Sequence, residues 1–105
     1  MEKFVIVCAT KEFRSICKSL TPTEDKIRSF LFSHSNSTNR VMLNRKQIAE
    51  GVGMSVSTVS AAFKTFVEVG ICKKPARDTY FLNPDYVWCY DEESRLECLK
   101  EYQDM

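Results

Sequence analysis

A chain of 105 residues, 44% hydrophobic and 28% charged, reads as one globular domain large enough to bury a modest core. Its five cysteines, at positions 8, 17, 72, 89 and 98, are odd in number and include no Cys-x-x-Cys pair. That argues against a disulfide framework or a zinc site and for reduced thiols in a cytoplasmic protein. The net charge of +1 conceals a dipole: residues 40–77 carry seven basic and two acidic side chains, and residues 85–105 carry two basic and seven acidic.

The apolar run at 4–9 is too short for a membrane span or a secretory signal, so no membrane partner is expected. Its β-branched and aromatic residues at 4–8 predict a strand. Phe13, Ile16, Cys17 and Leu20 then recur at i, i+3, i+4 and i+7, the apolar face of a helix. Thr21, Pro22 and Glu24 take the N-cap, N1 and N3 places of a second helix, with Ile27, Phe30 and Leu31 facing inward. The polar stretch 33–39 reads as a surface loop, and it includes His34, the only histidine, with no acid or cysteine nearby. Residues 40–43 can add a short strand.

The most informative stretch is 44–70. Asn44 and Gln47 form a capping box, Leu43 and Ile48 a hydrophobic staple, and Gly51 and Gly53 a tight turn that ends a short helix. Ser55 caps a second helix with Val59, Phe63, Phe66 and Val67 as its buried stripe and Gly70 as its C′ residue. A short capped helix, a glycine turn and a longer helix make a helix-turn-helix. The outer face of the longer helix carries Ser57, Thr58, Ser60, Ala61 and Lys64, small, hydroxylic or basic residues suited to the major groove. An ordinary solvated face carries more Glu and Lys.

After Gly70, two β-rich runs flank a proline-containing turn, which predicts a hairpin with Lys73, Lys74 and Arg77 at its tip. A hairpin directly behind a recognition helix is a wing. The acidic tail reads as a helix capped by Asp91, with Glu92 and Glu93 in its first turn and Leu96, Leu99 and Tyr102 as a narrow apolar stripe. That stripe can pack on its own domain or form a homodimer matching a palindromic site. The expected fold is therefore α+β and mainly helical: a winged helix-turn-helix domain over 1–90 with a short N-terminal strand, then an acidic C-terminal helix over 91–105.

The basic half implies phosphate neutralisation and strongly salt-dependent binding to double-stranded DNA. The expected DNA-binding set is Arg45, Lys46, Ser55, Ser57, Thr58, Ser60, Ala61, Lys64, Lys73, Lys74 and Arg77. Glycine-rich phosphate loops, metal-ligand clusters and paired nucleophile–base motifs are missing from the sequence, so no catalytic residue, metal or cofactor is expected.

Residues 41–88 resemble the winged-helix plasmid replication proteins of the RepL type. The resemblance lies in Arg-Lys-Gln-Ile-Ala-Glu-Gly-Val-Gly, in Ser-x-Ser-Thr-Val-Ser, and in Tyr80-Phe81-Leu82-Asn83-Pro84-Asp85-Tyr86 closing the hairpin. The first part is shared with bacterial winged-helix regulators generally, and the Asn-Pro segment points to replication. The resemblance implies a plasmid or phage replication initiator or control protein that binds duplex DNA sequence-specifically. The alternatives are an autoregulatory transcriptional repressor and a winged helix used for protein contact.

Overall fold

In the computed structural model, which describes residues 6–7, 11–88 and 92–104, the chain is α+β and mainly helical. Of the expected first strand, Ile6–Val7 forms β1 and pairs antiparallel with β5 (Val87–Trp88). Phe4, Val5 and Cys8, together with Cys89, Tyr90 and the expected cap Asp91, lie outside the described residues.

Helix α1 (Lys11–Ser19) buries Phe13, whose ring stacks on Phe32 at 5.8 Å and Tyr86 at 5.0 Å between centroids. Helix α2 (Pro22–Ser33) begins with the expected capping box: Glu24 N–H donates to Thr21 Oγ1, and Thr21 N–H donates to Glu24 Oε1. Its inner face holds Ile27, Leu31 and Phe32, while Phe30 is half-buried.

Of the polar stretch 33–39 expected as a surface loop, Ser33 ends α2, and the remainder contains a buried anchor. Asn39 is 1% exposed at φ 61°, and its Nδ2 donates to the carbonyls of Leu82 and Val87. Asparagine tolerates the left-handed region better than most residues and brings two donors to it. The loop is thereby tied to the strands on either side of residues 83–86.

Helix α3 (Arg45–Val52) starts at the Asn44–Gln47 capping box and ends at Gly53, which sits at φ 71°. Gly51 has a different job from the turn expected of it. It lies inside α3, and a Cβ there would meet the Phe30 ring at 2.5 Å. The missing side chain is what lets α3 lie close against α2. Gly51→Leu is expected to lower stability by about 2 kcal/mol through overpacking, read as a lower denaturant midpoint.

Helix α4 (Val56–Glu68) is capped by Ser55, and Gly70 follows at φ 82°. Its buried residues are Val59, Ala62, Phe63 and Phe66; Val67, expected in the core, is 49% exposed. The buried positions span about 100° of the helix from Ala62 to Phe63, and Val67 falls about 40° beyond Phe63, outside that stripe. Ala62 takes the remaining inner position.

Strands β2 (Arg40–Val41), β4 (Thr79–Leu82) and β3 (Cys72–Ala76) form an antiparallel sheet in the order β2-β4-β3. The hairpin turn is Arg77–Asp78, with Asp78 at φ 55°, rather than the neighbourhood of Pro75. Pro75 sits within β3, an edge strand whose register shifts between Lys73 and Ala76, where a residue without an N–H is tolerated. Tyr80 and Phe81 point to opposite faces of the sheet. The Tyr80 ring stacks on Phe63 of α4, 4.0 Å between centroids.

Helix α5 (Glu92–Gln103) covers the other face. Tyr102 meets Phe81 edge-on at 5.1 Å, and Cys98 joins them in a small second core. The inner residues are thus Cys98 and Tyr102, while Leu96, expected in the stripe, is 54% exposed. Arg95 ties the start of the helix to Asp85 at 3.1 Å and to Glu92 at 2.6 Å. Among the described residues Cys17, Cys72 and Cys98 are free thiols, and burial pushes Cys72 up to about 12, which leaves it unreactive at neutral pH.

Candidate nucleic-acid interface

The outward face of α4 follows from its 3.6-residue period. With Val59, Ala62, Phe63 and Phe66 inside, Ser57, Ala61 and Lys64 are exposed and Thr58 and Ser60 are half-buried. The first turn is a small hydroxyl cluster. Ser55 Oγ accepts from Thr58 N–H at 3.2 Å and lies 2.8 Å from Thr58 Oγ1 and 3.2 Å from Ser57 Oγ. These short side chains let the helix N-terminus approach a surface closely, with its dipole favouring an anion.

Arg45, Ser60, Lys64 and Lys74 come together from α3, α4 and β3. They line an open pocket of about 300 Å³ with Phe63, Val67, Glu68 and Tyr80. Arg45 Nε donates to Tyr80 Oη at 3.3 Å, and its Nη1 donates to Ser60 Oγ at 3.2 Å. Lys74 Nζ lies 5.9 Å from the Tyr80 ring centroid. Lys46 and Arg77 are exposed at the start of α3 and at the hairpin turn.

Lys73 departs from the expected set. It pairs across the sheet with Phe81, and so lies on the α5 face, while Lys74 lies on the α4 face. Its Nζ donates to the Tyr102 carbonyl at 2.6 Å and sits 4.5 Å from the Tyr102 ring centroid. Arg40 does the same from β2: its guanidinium lies 4.0 Å from the Phe81 centroid, and Nη2 pairs with Glu101 at 2.7 Å. Two cations of the basic half therefore hold the acidic helix. Arg45, Lys64 and Lys74 lie on the α4 side of the sheet instead.

Tyr80 is a polar member of this site that sequence reasoning does not single out. Its sequence signal is the alternation Thr-Tyr-Phe-Leu, which assigns the two aromatic residues to opposite faces without telling which one meets α4. The Asn-Pro segment is structural: Asn83 Nδ2 donates to the Gly70 carbonyl, and Asn83 Oδ1 accepts from Asp85 N–H. It fastens the end of α4 to the end of the hairpin.

Residues 18–105 match the family described as Firmicute plasmid replication protein (RepL). No curated protein and no solved structure matches the chain. The match runs through α2, the two helices around Gly53, the three-stranded sheet and α5, and the chain belongs to the RepL family of plasmid replication proteins.

Proposed function

We propose that this protein is a sequence-specific double-stranded DNA-binding protein that acts in initiating or controlling plasmid replication. In this reading α3 and α4 are a helix-turn-helix, α4 enters the major groove, and the β3–β4 hairpin with β2 is the wing beside the phosphate backbone. The observation that carries it is the outer face of α4, small and hydroxylic at its start and flanked by Arg45, Lys64 and Lys74 from three elements. Membership of a plasmid replication family supplies the process. The protein acts by binding, with no chemistry of its own, and it does so in the cytoplasm.

Helix α5 lies on the sheet face away from α4, so its carboxylates stay clear of the DNA. It packs Cys98 and Tyr102 against its own chain, which leaves Leu96 as the apolar residue through which a homodimer along this helix would form.

Selection of bound duplexes from a random pool tests the proposal. A recovered consensus that recurs within a plasmid origin supports it. A site overlapping the promoter of this protein's own gene would assign autoregulation instead. No enrichment, with no salt-dependent retention on DNA, would leave α4 as a surface for protein contact.

A further inference from the structure

We infer that the pocket between α4 and the β3–β4 hairpin seats one phosphodiester of the bound DNA strand, and that Tyr80 is the positioning residue that presets Arg45 for it. This rests on the reading that the α4 face meets DNA. A phosphodiester offers two anionic acceptor oxygens, and the pocket meets them with donors from three elements. Arg45 stands at the first position of α3, Ser60 and Lys64 lie one turn apart on α4, and Lys74 comes from β3.

The guanidinium is already aimed. Two of its N–H donors are taken by Tyr80 Oη and Ser60 Oγ, and the others have no acceptor among the described residues. A guanidinium fixed on two sides loses little freedom when a phosphate arrives, and its planar fork suits two phosphate oxygens at once. The Tyr80 hydroxyl is itself immobile, because the ring is 1% exposed and lies nearly parallel to Phe63, with 12° between the planes. Glu68 places one carboxylate on the rim, but it is eight residues along α4 from Ser60, about 12 Å away along the helix axis. The seat therefore lies at the Arg45–Ser60 end.

The test is a scan in which single phosphodiesters of a bound duplex are replaced by uncharged methylphosphonates. It is read with wild type, Arg45→Gln and Tyr80→Phe. Wild type is expected to lose about tenfold in affinity at one position, which matches the loss of a charge-assisted pair. Arg45→Gln is expected to bind the unmodified duplex about tenfold more weakly and to show a clearly smaller further loss at that position, because Ser60, Lys64 and Lys74 remain. Tyr80→Phe keeps its ring on Phe63, so its thermal midpoint controls for folding, and the penalty at that one position should shrink severalfold while the other positions keep theirs. Identical penalty profiles in wild type and Arg45→Gln would overturn the seat. A profile altered by Arg45→Gln and untouched by Tyr80→Phe would overturn the positioning role. Failure of the wild type to bind any duplex would overturn the DNA-binding reading beneath both.

Discussion

With Lys64, Lys74 and Arg77 all replaced by alanine, affinity for a specific duplex and for an unrelated one should fall by the same factor, on the order of a hundredfold near physiological salt. These three cations lie on exposed positions of α4 and the hairpin, where the proposed binding mode sets them beside the phosphate backbone. Lys64 and Lys74 share one phosphate and Arg77 meets another in this reading. Each phosphate left without its cation takes about 0.9 off the slope of log affinity against log salt, so the slope should flatten by roughly 1 to 2. A fluorescence-anisotropy salt titration reads both quantities. Lys73 supplies the internal control. Its ammonium is held by the Tyr102 carbonyl and ring, so Lys73→Ala should leave the slope almost unchanged and loosen α5 instead. An equal slope change from Lys73→Ala and Lys74→Ala would mean that both faces of the hairpin meet DNA.

Asn39→Ala should cost about 3 kcal/mol of stability, among the largest effects of any polar substitution in the chain. The amide of Asn39 satisfies the Leu82 and Val87 carbonyls from a site that is 1% exposed. Alanine leaves both acceptors short of a donor, which costs about 1–3 kcal/mol, and must hold a left-handed backbone at roughly 1 kcal/mol more. Asn39→Gly separates the two terms, because glycine accepts φ 61° freely but cannot supply the amide. It should recover about 1 kcal/mol relative to alanine, read as urea midpoints at constant slope. Equal stability of all three proteins would show that the loop is held by other means.

Asn39 and Lys73 also mark what the sequence reveals and what it hides. Local rules carry far: the capping boxes at Thr21–Glu24 and Asn44–Gln47 form as expected, because both partners lie within one turn. The Ser55 cap and most of the α4 stripe are likewise readable from spacing. Asn39 is hidden because its partners are 43 and 48 residues away, and a buried amide looks like any loop asparagine in sequence. Lys73 and Lys74 are adjacent and chemically alike. Strand alternation divides them between two faces, but only the pairing with Phe81 decides which one meets α5, and a register cannot be read from a run with a proline in it. Gly51 shows the same limit, since its role depends on Phe30 of a different helix. For the site, the residue types on α4 are legible, whereas the Arg45–Tyr80–Ser60 network joins three elements and needs the tertiary fold.

Sequence-specific reading by α4 is tested most directly by selecting preferred sites for Ser57→Ala, Ala61→Gln and Lys64→Ala beside wild type. Ser57 and Ala61 are exposed on the outer face within the first turns, so both changes should shift the preferred sequence while non-specific affinity stays nearly intact. Each altered base contact should cost on the order of 1–3 kcal/mol at the original site. Lys64→Ala should weaken all duplexes alike and keep the preferred sequence. An unchanged preference in both the Ser57 and Ala61 variants, with each protein folded, would show that α4 is not the reader.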